Sequence, residues 1–263
     1  MLSNDSEKKL FLIDAYALIF RAYYAFIKNP RINSKGINTS AVFGFVNAVL
    51  EIIRIEKPTH LAVVFDPPGG SFRNKVYPEY KANRDATPED IVLSIPLIHK
   101  VLEGLNIPTR MEMGYEADDL IATYKEQASK RNIKVTIISS DKDLMQLVDE
   151  NTFMMDTMKD KYIGKEEVKE KFGVYPDKVI DVQSLAGDSS DNIPGVPGIG
   201  IKTAAELINQ FGSLEKVLEN ASSIKQPKRR QTLLDNKDKA LISKKLVTLK
   251  KDVPVKTPLD EFA

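Results

Sequence analysis

The chain contains no cysteine. That excludes a disulfide framework, thiol catalysis and a thiolate-ligated zinc site, and it suits a reducing cytoplasm. Histidine is nearly as scarce: His60 and His99 are the only two in 263 residues, too few for a histidine-built zinc centre. His60 precedes an apolar run and His99 falls on a helix-like stretch, so both read as structural or surface residues. Net charge is almost absent as well. The 38 Lys and Arg against 37 Asp and Glu give a formal charge of +1, so whole-chain charge selects no partner and only its local distribution informs. No apolar run reaches the length of a membrane span. Lys8 and Lys9 before Leu10–Phe20 imitate a signal peptide, but Asp14 interrupts the apolar stretch and Arg21 follows at once. There is no internal repeat and no low-complexity tract. The expectation is a soluble intracellular protein, 42% hydrophobic and 29% charged, with enough chain for one large domain or two small ones.

What the sequence does have is acid in particular places. Asp14, Asp66 and Asp141 each end an apolar run: Leu10–Ile13, Leu61–Phe65, and Val135–Ile138 with two serines. Glu116, Asp118 and Asp119 open a helix-like stretch, and Asp188 and Asp191 stand three apart in a segment rich in Gly and Pro. Asp143 follows Asp141 by two. Divalent metal is the simplest reason to gather this much negative charge, and metal held by carboxylates points to phosphate chemistry.

Short apolar runs alternate with helix-period segments. Leu10–Ile13, Leu61–Phe65 and Val135–Ile138 read as strands; Thr39–Ile55, Ile95–Leu105 and Ala117–Lys130 read as helices. This alternation implies an α/β fold with a largely parallel sheet flanked by helices. Ligands of such sheets gather beyond the carboxyl ends of the strands, which brings Asp14, Asp66 and Asp141 together. After about Asp177 the texture changes: Val179–Gly187 and Thr203–Phe211 are helix-like, Asn192–Gly200 is rich in Gly and Pro, and the remainder is helical and lysine-rich. The expected division is an α/β core over 1–176, a helical subdomain over 177–250, and a linker or tail over 251–263.

Each motif has a plainer reading beside it. Glu116-Ala117-Asp118-Asp119 puts three acids in one helical turn, where a solvated turn using the helix dipole is the alternative. Ser139-Ser140-Asp141-Lys142-Asp143 follows a strand directly and is either a metal-binding Asp-x-Asp or a polar turn. Gly187–Ala204 is the most specific stretch. Asp188 and Asp191 are expected on one helical face. The glycines, Gly195, Gly198 and Gly200 among them, allow a tight hairpin between two helices. Its backbone can approach a phosphate, with Lys202 and Thr203 at the next helix start. Ser71–Arg84 interleaves aromatic and basic residues, including Arg73, Tyr80, Lys81 and Arg84, in a pattern suited to unpaired bases and phosphates or to a solvated basic loop. Arg21, Tyr23 and Tyr24 form a second such group.

These motifs, with Pro58-Thr59-His60 and Val63-Val64-Phe65-Asp66, hold in order and spacing over nearly the whole chain. In this the chain resembles the 5′-nuclease (5′–3′ exonuclease) domain of bacterial DNA polymerase I, within the flap endonuclease superfamily. Two departures lie beside the acids: Ala15-Tyr16 follows Asp14, and Ser140 precedes Asp141, where glycine is usual. The resemblance implies a PIN-like core, a helical arch over the active site (about 71–100) and a helix–hairpin–helix that grips duplex DNA with K⁺. It implies two Mg²⁺ or Mn²⁺ ions, one held by Asp14, Asp66, Glu116, Asp118 and Asp119, the other by Asp141, Asp143, Asp188 and Asp191, partly through waters. Lys81 and Arg84 would act on the scissile phosphate, Tyr80 would stack on a frayed base, and Arg21 and Arg73 would join the hairpin in binding DNA. The implied substrates are DNA with a 5′ flap, nick or 5′ end and RNA-primer–DNA junctions. The implied setting is the bacterial cytoplasm, in replication and repair, as a monomer without a membrane partner. A non-catalytic junction-binding module would favour bases over acids, and a PIN-like ribonuclease would not need the helix–hairpin–helix.

Overall fold

Asp14 ends one element and caps the next, which fixes the architecture around it. The computed structural model describes residues 7–157 and 160–263; residues 1–6 of the expected core lie outside it. Strand β1 (Lys9–Asp14) turns directly into helix α1 (Ala15–Ala25), with the Asp14 side chain accepting the Ala17 N–H. Helix α2 (Ser40–Glu56) leads to β2 (His60–Val64), and α3 (Phe72–Val76) and α4 (Glu89–Gly104) precede the short β3 (Thr109–Arg110). Helix α5 (Ala117–Ser129) leads to β4 (Lys134–Ile138), followed by a 3-10 segment (Lys142–Leu147), β5 (Thr152–Asp156) and β6 (Lys161–Ile163). The remainder is helical: α6 (Lys165–Phe172), α7 (Val179–Ala186), α8 (Ile201–Phe211), α9 (Leu214–Glu219), α10 (Pro227–Asp235) and α11 (Lys237–Val247).

The six strands run in the order β3-β2-β1-β4-β5-β6, parallel except for β6, which pairs antiparallel with β5. Chain order reverses across β1, which pairs with β2 on one side and β4 on the other. A crevice opens at such a switch, beyond the carboxyl ends of these strands. Alternating side chains serve two cores, as the strand period requires. Leu10, Leu12, Val64 and Ile137 pack toward α5 and the C-terminal helices; Phe11, Ile13, Val63 and Ile138 pack toward α1, α2 and α4.

Two expectations need correction. The arch was expected over about 71–100, but Ile91, Ile98 and Leu102 of α4 lie in the core with α1 and α2. Only the segment between Ser71 and about Pro88 crosses the strand ends. The last residues were expected to be a linker. Instead Val253, Leu259 and Phe262 are buried, Phe262 packs edge-on against Tyr124 with ring centres 4.7 Å apart, and Arg131 pairs with Asp260 at 2.7 Å. Lacking any regular apolar period, this stretch gave no sign of docking.

Candidate active site

Each strand that ends at the switch delivers an acid. Asp14 accepts from Ala17 N at 3.2 Å and from Ser139 Oγ at 2.8 Å. Asp66, just past β2, accepts from Ala117 N at 2.8 Å, which ties it to the first turn of α5. Asp118 comes off that same turn. Asp141 caps the 3-10 segment after β4, accepting from Asp143 N at 2.9 Å.

The electrostatics show how poorly these acids tolerate one another. Burial, followed by the charge of Asp66, pushes the Asp14 carboxyl up to about 7. Burial and the surrounding Asp141, Asp14 and Asp66 hold Asp118 well above the ordinary carboxylate range. Burial, then Asp141, pushes Asp143 up to about 7, although Gln183 Nε2 donates to it at 2.6 Å. Burial also raises Asp66. Hard oxygen donors that repel one another in a partly buried crevice are a donor set suited to divalent cations.

The remaining acids are held by cations of the chain itself. Glu116 Oε2 accepts from Lys81 Nζ at 2.7 Å and from Tyr80 Oη at 3.1 Å, while Oε1 accepts from Ser71 Oγ at 2.9 Å. Burial works to raise Glu116, but Lys81 and Arg73 outweigh it and leave it below the usual range. Asp191 pairs with Arg84 Nη2 at 2.5 Å and stands 3.8 Å from Lys81 Nζ. Asp188 pairs with Lys142 Nζ at 2.7 Å, which outweighs its burial and holds its carboxyl low. With these acids so engaged, no three acidic side chains among the described residues converge on one ion position. A cleft of about 540 Å³ opens beside them, lined by Asp66, Glu116, Lys81 and Arg84 together with Tyr16 and Phe20.

Several expected residues stand elsewhere. Asp119 does not face the other acids: it is fully buried on another side of α5, bound to both Nη atoms of Arg73 at 2.7 and 2.8 Å. Arg73, 1% exposed, also donates to the carbonyls of Leu246 and Thr248. It is therefore a tie between α3, α5 and the end of α11, out of reach of DNA. Tyr80 is 4% exposed and packs on Ile193, Leu246 and Val247 with its hydroxyl spent on Glu116, so no face is free for a base. Arg21 is half-buried and donates to the carbonyl of Thr157 at 2.8 Å. Asp188 and Asp191 share no helical face; they lie in a turn closed by paired bonds between Asp188 and Ile193.

The Gly/Pro stretch splits into an inner and an outer part. Gly195 is internal: its N–H donates to Ser243 Oγ at 2.9 Å, and a Cβ there would sit 2.4 Å from Gly187 N. It cannot meet DNA. Val196-Pro197-Gly198-Ile199 forms a turn with Ile199 N–H bonded to the Val196 carbonyl at 3.1 Å and Gly198 at φ +77°, the arrangement that places Pro second and Gly third. Gly198, Gly200 and Lys202 are exposed, with Thr203 half-buried beside them at the start of α8. Sequence reasoning missed the partners that hold the acids: Ser71, Ser139, Lys142 and Gln183. Ser71, Ser139 and Lys142 sat inside motifs already singled out for other residues; Gln183, on a helix-like stretch with no motif, reaches Asp143 only through tertiary packing.

Residues 9–173 match the family model of the 5′-3′ exonuclease N-terminal resolvase-like domain, and residues 174–263 that of the 5′-3′ exonuclease C-terminal SAM fold. DNA polymerase I of Rhizobium leguminosarum is 48% identical over 258 residues, covering 95% of this chain and 25% of that protein. The 5′-3′ exonuclease of Aquifex aeolicus is 38% identical over 248 residues, covering 94% of this chain and 84% of that protein. The chain thus spans about a quarter of the length of the Rhizobium polymerase it matches. In fold it is similar to T5 5′-exonuclease with bound zinc (TM-score 0.78, 23% identity, 92% of this chain and 90% of that one). It is also similar to the catalytic core of Rad2 in complex with DNA substrate (TM-score 0.60, 18% identity, 96% and 82%). With both domain models matched end to end and relatives this similar, the chain belongs to the 5′-3′ exonuclease family.

Proposed function

We propose that this chain is a structure-specific 5′ nuclease, a 5′-flap endonuclease and 5′–3′ exonuclease. It acts on DNA with a 5′ flap, nick or 5′ end and removes RNA primers at RNA–DNA junctions. The observation that carries this reading is the crowd of carboxyls at the strand ends, four of them raised by burial or by one another, with Lys81 and Arg84 laid beside them. Drawn together by a divalent ion, Asp14, Asp66, Asp118 and Asp141 would hold one Mg²⁺ or Mn²⁺, and Asp143, Asp188 and Asp191 a second, with Glu116 beside the cleft. Bound there, two divalent ions would supply a nucleophilic water at neutral pH and would relieve charge on the leaving 3′ oxygen.

The chain's own residues do the rest. Lys81 and Arg84 exchange their carboxylate partners for the scissile phosphate, orienting it and stabilising the charge that builds in the transition state. Tyr16 and Phe20 give the cleft an apolar wall. The exposed turn at Gly198 and the start of α8 offer backbone N–H groups and Lys202 to duplex phosphates, and K⁺ bound by that turn would add to the grip. We place the protein as a monomer in the bacterial cytoplasm, in replication and repair; none of its helices is long and apolar enough to cross a membrane among the described residues.

The test is a 5′-labelled flap substrate incubated with the protein in Mg²⁺, in Mn²⁺ and in EDTA. Cleavage near the flap junction is expected with either ion and none in EDTA. Full cleavage in EDTA, or specific binding without turnover under every condition, overturns this reading.

A further inference from the structure

The segment that carries Lys81 and Arg84 is fastened less to the strand ends beneath it than to the turn that carries Asp188 and Asp191. Asn192 Nδ2 donates to the Glu79 carbonyl at 2.7 Å. Asn83 Nδ2 donates to the Ser189 carbonyl at 2.8 Å. Lys81 N–H donates to the Asp191 carbonyl at 2.9 Å. Beneath these three bonds Tyr80 packs on Ile193, Leu246 and Val247. Two of the residues at the joint, Lys81 (φ +58°) and Asn192 (φ +56°), hold left-handed backbone, which ordinary L residues avoid. Asparagine is among the few that tolerate it, and its amide then reaches a local carbonyl. Two residues beyond Asn192 begins the Gly/Pro run that ends in the exposed turn at Gly198.

We propose that Asn192, assisted by Asn83, is a positioning residue for Lys81 and Arg84. It clasps the segment bearing these two cations to the turn that leads into the duplex-gripping hairpin, so that gripping the duplex and placing the two cations are one mechanical event. The clasp makes residues 77–84 a bridge, tied through Tyr80 and Lys81 to Glu116 of the first domain and through the asparagines to the 188–193 turn of the second. The amide of each asparagine is spent on a backbone carbonyl and not on an acid, so each acts through the backbone of the segment it holds. This inference rests on the reading of Lys81 and Arg84 given above.

The backbone and side-chain parts of the claim separate cleanly. Asn192→Gly keeps the left-handed conformation and removes the clasp; Asn83→Ala removes the other bond without touching strained backbone. Loosening by about an ångström costs on the order of a hundredfold in a well-ordered site. Asn192→Gly should therefore lower the single-turnover rate on saturating flap DNA by about tenfold to a hundredfold, with flap affinity within about twofold. Asn83→Ala should do the same more weakly. In the Lys81→Ala/Arg84→Ala double background Asn192→Gly should have little further effect, because both of its routes to the chemistry are then gone. Hydrogen exchange gives a readout independent of turnover: the Lys81 amide, bonded to Asp191, should lose protection in both asparagine variants while the strands keep theirs. An Asn192→Gly loss that still multiplies on the Lys81→Ala/Arg84→Ala background, or unchanged protection of residues 77–84, would overturn the clasp. A wild-type protein that binds flap DNA and does not cut it, while the exchange data still show the clasp, would instead overturn the nuclease reading alone.

Discussion

Arg73 and Asp119 meet end-on through two bonds of 2.7 and 2.8 Å, with both side chains sealed from water. Every remaining polar atom of the pair is used. Arg73 donates to Leu246 and Thr248, and Asp119 accepts from the N–H groups of Glu116 and Lys250. This joint fixes α3, the first turn of α5 and the end of α11 in one geometry.

Breaking a buried pair leaves an uncompensated charge, at a cost of about 3–5 kcal/mol. Asp119→Asn and Arg73→Met should each lower the melting temperature strongly. At a temperature where the variant is still folded, Asp119→Asn should keep most of its cleavage and divalent-ion affinity. Asp118→Asn should do the reverse, remaining folded and losing turnover. The paired melts and Mn²⁺ titrations decide between them. An Asp119→Asn protein with normal stability and lost ion binding would return Asp119 to the metal site.

The crowded carboxyls give the metal-free protein an unusual pH dependence. Asp14 and Asp143, each pushed up to about 7, bind protons in the folded state that the unfolded chain releases near its ordinary carboxylate range. The folded state therefore holds more protons between the two values, and stability falls as pH rises from about 4 to about 7. Glu116 and Asp188 are shifted downward, so their contribution is lost only in stronger acid, as pH falls below the ordinary range. In EDTA the melting temperature should be higher near pH 5 than near pH 8, and saturating Mg²⁺ should remove most of that difference by neutralising the acids. Asp118→Asn should melt above wild type in EDTA near pH 8, since it deletes one charge that faces Asp141, Asp14 and Asp66. A flat profile in EDTA would mean these carboxyls do not repel one another as their placement requires.

The parallel sheet and the acids at its strand ends were legible because short continuous apolar runs between helix-period segments mark buried parallel strands, and a charge at the end of such a run marks the mouth of the sheet. Asp118 and Asp119 were not separable. Neighbours on a helix point about 100° apart, so only one can face the crevice, and which one does is settled by Arg73, 46 residues away. Tyr80 misled for a related reason. An aromatic residue amid bases reads as a surface contact until Ile193 and Leu246 cover it. The tail misled through the opposite defect. Val253, Leu259 and Phe262 follow no helix or strand period, and only the partners waiting on the fold, Tyr124 among them, bury them.

Lys81 is proposed to act on charge that develops during the reaction. Lys81→Ala should reduce the single-turnover rate by roughly a hundredfold or more, as losing a charge-stabilising donor does elsewhere, with a much smaller loss of duplex affinity. The variant also leaves the largely buried Glu116 without its nearest cation, so its melting temperature should fall and rates are taken where it is still folded. Rates taken at saturating enzyme check the prediction. Full recovery of rate at high enzyme concentration would make Lys81 a binding residue only.

Gly195 and Gly198, three residues apart, should answer mutation in opposite ways. A Cβ on Gly195 would drive into the Gly187 backbone at 2.4 Å, and no flexible side chain is there to yield. Gly195→Ala should therefore lower the melting temperature sharply and affect DNA binding only through misfolding. A Cβ on Gly198 meets no protein atom within 4 Å, so the cost inside the protein is the left-handed backbone at φ +77°, about 1–2 kcal/mol. Any further loss must come from what approaches the turn from outside. Gly198→Val should weaken binding to duplex-containing flap DNA and shallow its dependence on salt, because lost phosphate contacts release fewer counterions. Cleavage should be preserved once DNA is saturating. Replacing K⁺ with a large organic cation at equal ionic strength should mimic the variant in wild type and add little to it. Fluorescence anisotropy across a salt series, with both proteins and both cations, measures all of this. Equal affinity and slope in Gly198→Val would show that the turn only connects α7 to α8 and that the duplex is gripped elsewhere.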